Sequence, residues 1–326
     1  MTDIQQTPIQ SGFTAASTAA GVMAGVDLAG RTALVTGGYS GLGFETTRSL
    51  AQAGARVLVP ARRPQVARDR LADLAGVTVI PMDLADLPSV HRACEQLRES
   101  ETTLDIAIAA AGVMASPERR VGPGWEGQFA INHLGHFVLM TLLFPLLANA
   151  GGARVVSYSS AGHQLSDIRW DDMHFDDCYD KWSAYGQSKT ANVLFAVHLD
   201  AIGREDGVRA FSLHPGAVIT ELQRDMTAAE QIERGWIDEQ GNIVARGFKT
   251  PSQGAATGLW AATSPSLTDL GGRYCEDCDI APLATANGSM EDGGVRPYAL
   301  DPDSADRLWR ASARLTGVGL SGKATK

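Results

Sequence analysis

The chain has 326 residues, a net charge of −9 and four cysteines. This length permits one large domain or two ordinary ones, and the acidic balance argues against nucleic acid as a partner. Because four scattered cysteines are too few for a disulfide framework in so long a chain, we expect a soluble, cytoplasmic protein.

Residues 1–28 are predicted to form an N-terminal extension, disordered to about residue 12 and with a possible short helix from Thr14 to Ala24. The first thirty residues contain no lysine or arginine, which argues against a secretory or mitochondrial signal. The most apolar run, Phe137 to Ala150, is shorter than a membrane span and contains Pro145. We therefore expect a buried helix there and no membrane span.

A glycine-rich turn follows the first regular strand. The apolar run at residues 33–35 predicts a short buried strand, and TGGYSGLG at 36–43 leads into an amphipathic helix. Gly37 would permit a tight turn, Gly41 would admit the pyrophosphate of a dinucleotide, and Gly43 would let the helix lie close to the sheet. The helix N-terminus would then face the phosphates. The predicted cofactor contacts of this turn are Gly37, Tyr39, Ser40, Gly41, Leu42 and Gly43.

Two arginines end the next predicted strand, residues 55–61, and bear on the choice of nicotinamide cofactor. No Asp or Glu occurs between Ala55 and Ala67, where an acidic residue would hold the ribose 2′-hydroxyl of NAD. Arg62 and Arg63 suit the 2′-phosphate of NADP instead. The sequence therefore favours NADP(H), with NAD(H) possible and two solvated arginines on a loop as the alternative.

Polar groups follow several later strands, and the carboxyl ends of parallel strands share one edge of a sheet. Asp83, after the strand at 77–81, could accept a hydrogen bond from the adenine amine or could cap the following helix. Ser159 and Ser160 follow the strand at 154–158, and His214-Pro-Gly216 follows the strand at 208–213. Further predicted cofactor contacts along this edge are Leu84, Ala110, Gly112, Pro215, Gly216, Val218 and Thr220.

Asn132 is an amide within a long apolar helical stretch predicted from about Gly124 to Asn149. Asparagine is mildly unfavourable inside helices, so we expect Asn132 to have a structural or functional role. It could be structural, or it could kink the helix and hold a water molecule.

Tyr185 and Lys189 lie four residues apart on a predicted helix, so their side chains project from the same side. An ammonium roughly 5 Å from a phenol, at an effective dielectric constant of about 20, would favour the phenolate by roughly 3 kcal/mol. We therefore expect Lys189 to lower the pKa of Tyr185 and to make it a proton donor or acceptor near neutral pH.

Two segments interrupt the regular alternation of strands and helices. Residues 163–182 form an acidic insertion with six aspartates, which could bind a metal ion but fit a solvated acidic face better. Residues 217–250 are predicted to be a lid over the substrate. Cys275 and Cys278 have redox or metal spacing, but no second pair completes a zinc site, so we predict no metal centre.

The alternation predicts an α/β fold: a single Rossmann-type, doubly wound parallel sheet of about seven strands with helices on both faces. The catalytic domain would span residues 29–316, and residues 317–326 would form a C-terminal tail.

TGGYSGLG at 36–43, Asn132, Ser160, YGQSK at 185–189 and Pro215-Gly216 occur in the order and approximate spacing of the short-chain dehydrogenase/reductase superfamily. The chain resembles this family over roughly residues 29–315. The stretches WEGQFAINHLGHF, RVVSYSSAGH, YGQSKTANVLFA and LHPGAV are most similar to the retinol dehydrogenase and WW-domain oxidoreductase group.

The resemblance implies a role for each residue of a catalytic set. Tyr185 would be the acid/base, Lys189 would tune it and bind the nicotinamide ribose, Ser160 would polarise the substrate oxygen, and Asn132 would hold a proton-relay water. Asp83 and Arg62 match the adenine and 2′-phosphate contacts, and Val218 matches the backbone group that orients the carboxamide.

The resemblance implies an NADP-dependent oxidoreductase that interconverts an apolar or aromatic alcohol with a ketone or aldehyde and forms a homodimer or homotetramer. The alternative is a catalytically silent dinucleotide-binding protein that senses redox state.

Overall fold

The computed structural model describes residues 6–245 and 247–320. Its strands are β1 Thr32–Thr36, β2 Arg56–Ala61, β3 Val77–Pro81, β4 Ile106–Ala109, β5 Arg120–Val121, β6 Trp125–Glu126, β7 Arg154–Tyr158, β8 Arg209–Leu213, β9 Tyr274–Glu276 and β10 Asp279–Ile280. Its helices are α1 Ala19–Val22, α2 Gly41–Gln52, α3 Pro64–Leu71, α4 Leu87–Ser100, α5 Gly127–Phe129, α6 Gly135–Asn149, α7 Lys181–Gly203, α8 Ala228–Glu233, α9 Pro251–Thr263 and α10 Pro302–Thr316.

The central sheet has eight strands in the order β3-β2-β1-β4-β7-β8-β9-β10. Seven of them run parallel, and the short β10 pairs antiparallel with β9 at the edge. The predicted doubly wound sheet is therefore confirmed. The strand order reverses between β1 and β4, which is the place where open α/β sheets bind ligands.

Strand residues alternate between two hydrophobic layers, as the two-residue period of a strand requires. Leu34, Leu58 and Val155 belong to the layer that includes α4, α6 and α7. Their neighbours Val35 and Val156 belong to the opposite layer, which includes α2 and α9. Because both faces are covered by helices, the inner strands β1, β4, β7 and β8 consist largely of buried residues.

The long apolar helical stretch differs from the prediction at its start. A small hairpin of β5 and β6 precedes it, so the helix begins at Gly127 rather than near Gly124. Residues 127–149 are long and apolar enough to cross a membrane by composition, but 89% of the most apolar window is buried inside the fold. This burial is what a core helix shows, because neighbouring helices and strands cover its apolar side chains.

The extension before β1 is bound to the domain wherever the structure describes it. Gln6 Nε2 donates to the Tyr274 carbonyl oxygen, and the Ile9 backbone N–H donates to Asp279 Oδ1 at 2.8 Å. The expected disorder therefore does not extend over residues 6–12, because these hydrogen bonds tie the segment to β9 and β10. The expected helix is reduced to α1, which packs on α9. Residues 1–5, and residues 321–326 of the predicted tail, lie outside the described residues.

Helix α10 covers the outer side of α6 and α7 with an aromatic cluster. The Trp309 ring stacks on Phe195 with a centroid distance of 5.8 Å and on His198 at 4.8 Å, and it meets Phe137 edge-on at 4.8 Å. Helix α10 thus completes the hydrophobic packing of α6 and α7.

Candidate active site

Tyr185 lies in the second turn of α7 and meets Ser160 at the end of β7. The Tyr185 ring and the Ser160 hydroxyl lie side by side next to Gly162, and Ser160 Oγ accepts from the Gly162 backbone N–H at 3.0 Å. Ser159 points elsewhere, because its hydroxyl donates to the Lys189 carbonyl oxygen at 2.8 Å. The two serines are thus separated in role: Ser159 anchors α7, and Ser160 faces the phenol.

Gly162 allows this contact by its lack of a side chain. A Cβ atom at this position would lie 2.7 Å from Tyr185 Cε1 and 3.3 Å from Ser160 Oγ. The Tyr185 ring therefore packs directly on the backbone that follows Ser160. Sequence reasoning missed Gly162, although its position two residues after Ser160 was a usable signal.

Lys189 is buried below Tyr185, where its ammonium donates to the Tyr158 carbonyl oxygen at 2.9 Å. Its Nζ lies 5.7 Å from the centroid of the Tyr185 ring and 3.7 Å from the place that a Cβ on Gly112 would occupy. The ammonium thus lies between the phenol and the loop after β4.

Asn132 sits in a π-helical turn, Ala130–Leu134, between α5 and α6. Its Oδ1 accepts from the Val113 N–H at 2.9 Å, and its Nδ2 donates to the Val113 carbonyl and to Ser188 Oγ, each at 2.9 Å. The helix is locally distorted at Asn132, which was one of the two alternatives that the sequence left open. The amide group itself is engaged by protein groups, so it braces the loop after β4 against α7.

A hydrogen-bond chain that sequence reasoning missed joins the glycine turn to Asn132. The Ala111 N–H donates to Thr36 Oγ1 at 3.0 Å, and Thr36 Oγ1 lies 2.8 Å from His136 Nε2. His136 Nδ1 lies 3.0 Å from the Asn132 carbonyl oxygen. Since that carbonyl can only accept, Nδ1 carries the proton and Nε2 accepts from Thr36. The spacing of Asn132 and His136 on one helix face was the available signal.

Burial determines the protonation of the pair, and it corrects the sequence-based expectation for Tyr185. Desolvation raises the pKa of Tyr185 to about 12, against the opposing effect of its hydrogen bond to Ser160. Desolvation also lowers the pKa of Lys189 to about 8. The expected lowering of the Tyr185 pKa by Lys189 is therefore wrong for this structure, because burial disfavours both charged forms. At neutral pH Tyr185 is a phenol, ready to give a proton.

The glycine turn fits the pyrophosphate of a dinucleotide. Gly37 and Gly41 have φ values of +68° and +50°, which side chains rarely adopt. A Cβ on Gly43 would lie 2.3 Å from the Gly37 carbonyl oxygen, so α2 can approach β1 only without it. Ser40 is the N-cap of α2 but makes no side-chain capping bond, so side-chain capping does not occupy the helix N-terminus. Such a terminus favours an anion.

The segment after β8 lies against this turn. Thr220 Cβ would be 3.3 Å from a Cβ on Gly41, and Val218 Cγ2 and Leu42 Cδ2 flank the position of Gly254. Gly216, with φ +86° after Pro215, is overlaid by the aliphatic chain of Lys249, whose Nζ pairs with Asp277 at 2.5 Å. The two halves of the predicted cofactor cleft are therefore brought together across the edge of the sheet.

The predicted contacts nearer the adenosine end lie along the same edge. Arg62 and Arg63 are exposed after β2, and no hydrogen bond or ion pair joins either guanidinium to another described residue. Asp83 Oδ1 accepts from the Ala85 N–H at 2.9 Å, and the N-cap of α4 is Asp86, so the capping alternative for Asp83 is wrong. Leu84 packs on Gly135, and Ala110 is partly buried beside the turn.

Sequence reasoning missed Arg70, which reaches this end of the cleft from α3. Its guanidinium donates to the Tyr39 carbonyl oxygen at 3.4 Å and pairs with Glu221 at 2.9 Å. One arginine therefore bridges the glycine turn and the segment after β8.

The comparisons with known proteins agree with this arrangement. A family model described as short chain dehydrogenase matches residues 31–231. A "Probable oxidoreductase" of Streptomyces lividans is 44% identical over 302 residues, which cover 90% of this chain and 100% of that protein. Retinol dehydrogenase 12 of Mus musculus is 34% identical over 299 residues, 90% of this chain and 88% of its own. RhlG of Pseudomonas aeruginosa, solved as an active-site complex with NADP, aligns with a TM-score of 0.59 and 26% identity over 76% of this chain and 95% of its own.

The buried ammonium predicts how stability depends on pH. Since the pKa of Lys189 falls from 10.5 to about 8 on folding, the folded protein releases this proton before the unfolded chain does. The destabilisation is fully present below about pH 8 and is lost as the pH rises towards 10.5. Relative to Lys189→Met, the wild type should therefore gain free energy of unfolding over this interval. Urea unfolding of both proteins at pH 7.5 and pH 10 measures the change, and equal differences at the two pH values would contradict it.

Proposed function

Because this chain belongs to the short-chain dehydrogenase/reductase superfamily, in its retinol dehydrogenase-like group, we propose that it is an NADP-dependent oxidoreductase that interconverts an alcohol and a ketone or aldehyde. The family makes it an NAD(P)-dependent oxidoreductase. The choice of NADP, the carbonyl chemistry and the roles of individual residues are the proposal.

The observation that carries the proposal is the packing of the Tyr185 ring and the Ser160 hydroxyl about Gly162, with Lys189 buried one turn further along α7. A bound nicotinamide would supply the hydride. Ser160 Oγ would donate to the substrate oxygen, and Tyr185, which is protonated at neutral pH, would transfer a proton to it. Lys189, held by the Tyr158 carbonyl, would stabilise negative charge that develops on the phenol.

The preference for NADP rests on charge at the end of β2. Arg62 and Arg63 are exposed there, and the only acidic residue that α3 offers, Asp69, is hydrogen-bonded to Gln65 on the same helix. The 2′-phosphate of NADP could pair with two guanidinium groups at the end of β2. The 2′-hydroxyl of NAD would have no carboxylate there to accept its hydrogen bond.

A second candidate, a catalytically silent dinucleotide-binding protein that senses redox state, is less well supported. Such a protein would have no need to keep Asn132, Ser160, Tyr185 and Lys189, and all four are present and adjoining. Incubation with NADPH and a panel of carbonyl compounds separates the two candidates, because only an enzyme consumes NADPH in proportion to added substrate.

The assembly and the location of the protein are proposed from family resemblance alone. We propose a homodimer or homotetramer in the cytoplasm. Light scattering of the purified protein would contradict the first proposal if it gave the mass of a single chain, and fractionation of cells would test the second.

Replacement of Tyr185 by Phe removes the proposed proton donor while keeping the ring. We expect turnover to fall by about 10²- to 10⁴-fold, the usual contribution of a general acid, with NADPH affinity nearly unchanged. Tyr179→Phe is a matched control, since the Tyr179 hydroxyl bonds the Ser116 carbonyl outside the site. Near-normal activity in Tyr185→Phe would refute the mechanism.

Arg62→Asp should reverse the cofactor preference, because a carboxylate would repel the 2′-phosphate and accept from a 2′-hydroxyl. The ratio of NADPH to NADH affinity, measured by fluorescence titration, should fall by about tenfold or more, as for the loss of one charge-assisted pair. Arg68→Asp, an exposed change on α3, serves as the control. An unchanged ratio in Arg62→Asp would remove the basis for the NADP assignment.

A further inference from the structure

A wall of apolar side chains closes over Tyr185 and leaves it 4% exposed. Three structural parts contribute to it: the loop after β4, the first turn of α7 and the predicted lid. The members of this apolar wall are Met114, Ala115, Trp182, Leu222, Met226 and Trp236. None of these six side chains is charged, so apart from the Arg234 guanidinium, which lies over the Trp182 ring, this side of Tyr185 is covered by apolar and aromatic surface.

Trp182 is the member of the wall that is fixed to the catalytic helix. It precedes Tyr185 by three residues on α7, and their rings meet edge to face with a centroid distance of 6.4 Å and an interplanar angle of 89°. Met226, at 7% exposure, and the partly buried Trp236 belong to the lid. Met226 and Trp236 therefore belong to a segment separate from α7, whereas Trp182 is part of the same helix as Tyr185.

Two polar contacts fasten the lid to the first turn of α7. Lys181 pairs with Glu230 of α8, and this ammonium holds the pKa of the Glu230 carboxyl down at about 2. Just beyond α8, the guanidinium of Arg234 lies 3.9 Å from the centroid of the Trp182 ring and 5.8 Å from that of Trp236. We call these two contacts the latch.

Glu230 also stabilises α8 itself. Its carboxylate accepts from the Thr227 backbone N–H at 2.9 Å, and the Thr227 hydroxyl accepts from the Glu230 N–H at 3.2 Å, which completes a capping box. The residue that orders the lid helix is therefore the same residue that binds it to α7. When the contact between Glu230 and Lys181 is lost, the capping box remains, so α8 can move away from α7 without unfolding.

We propose that Trp182, Met226 and Trp236 determine the specificity of the proposed reaction, because they admit an apolar or aromatic group beside the reacting carbonyl. The latch holds the wall closed until substrate binds. The inference rests on the proposed function, because it concerns access to Tyr185. When the lid moves, Met226 and Trp236 lose apolar contacts with Tyr185 and its neighbours, and an apolar group of the substrate replaces those contacts. A cationic group would be desolvated against the wall and would meet the like charge of Arg234, which is costly.

Hydrogen exchange of the lid tests the latch without any turnover. In the double variant Glu230→Gln and Arg234→Met, amide exchange in residues 226–236, followed by mass spectrometry, should be about tenfold faster, since an ion pair and a cation–π contact are lost together. Glutamine keeps an oxygen for the capping box. Asp86→Asn, which breaks the exposed pair of Asp86 with Arg92, is the matched control and should leave lid exchange unchanged. Unchanged exchange in the double variant would overturn the latch.

A pair of ketones tests the specificity assignment. The ratio of kcat/KM for acetophenone to that for acetone should fall about tenfold in Met226→Ala and in Trp236→Ala, because each removes apolar contact with the larger ketone only. Leu283→Ala, a truncation of an exposed leucine outside the lid, should leave the ratio unchanged. A ratio that stays constant in both wall variants, with turnover retained, overturns the assignment and leaves the proposed function standing. If the wild type turns over no carbonyl compound, the proposed function and the specificity assignment are both refuted. The hydrogen-exchange experiment still tests the latch in that case.

Discussion

The burial of one ammonium group constrains the whole site. Lys189 lies inside the protein, and a buried cation is tolerated only where it is hydrogen-bonded. The Tyr158 carbonyl supplies that bond, and the same oxygen accepts from Asn192. Because β7 thereby holds α7 at two successive turns, the Tyr185 ring is brought against Ser160 and Gly162. A less firmly bound helix would not hold the Tyr185 ring against the backbone that follows β7.

Polar side chains connect the two halves of the site through the interior. Thr36 at the end of β1 and His136 on α6 join the loop after β4 to the backbone of Asn132, and Asn132 joins that loop to Ser188 on α7. The glycine turn and the catalytic helix are therefore coupled by hydrogen bonds that are buried, except for the partly buried one from the Ala111 N–H. A buried polar group without a partner is costly. Removal of any one of these side chains would therefore destabilise both the glycine turn and the catalytic helix.

The fold could be predicted because it depends on local pattern, and the four catalytic candidates could be named because family resemblance marks them along the chain. Apolar runs along the chain predicted the strands, and the predicted bounds of β3 and β7 agree with the structure at every residue. The glycine spacing predicted where α2 begins. The pKa of Tyr185 could not be predicted, because it depends on how deeply the finished fold buries the ring. The hairpin of β5 and β6 was missed because two-residue strands carry no periodicity. Arg70, Arg234 and Lys249 were missed because their partners are distant in the chain, and charge at long range leaves no signal in a single sequence.

Helix α10 has a consequence for the order in which the chain can fold. Phe137 and Phe195 are synthesised long before Trp309, so an aromatic surface on α6 and α7 remains open while the rest of the chain emerges. The sheet and its flanking helices can form earlier, but this surface is sealed only when the last helix arrives. Until α10 packs there, the aromatic surface is open to association with other chains, as is general for apolar surface exposed during folding.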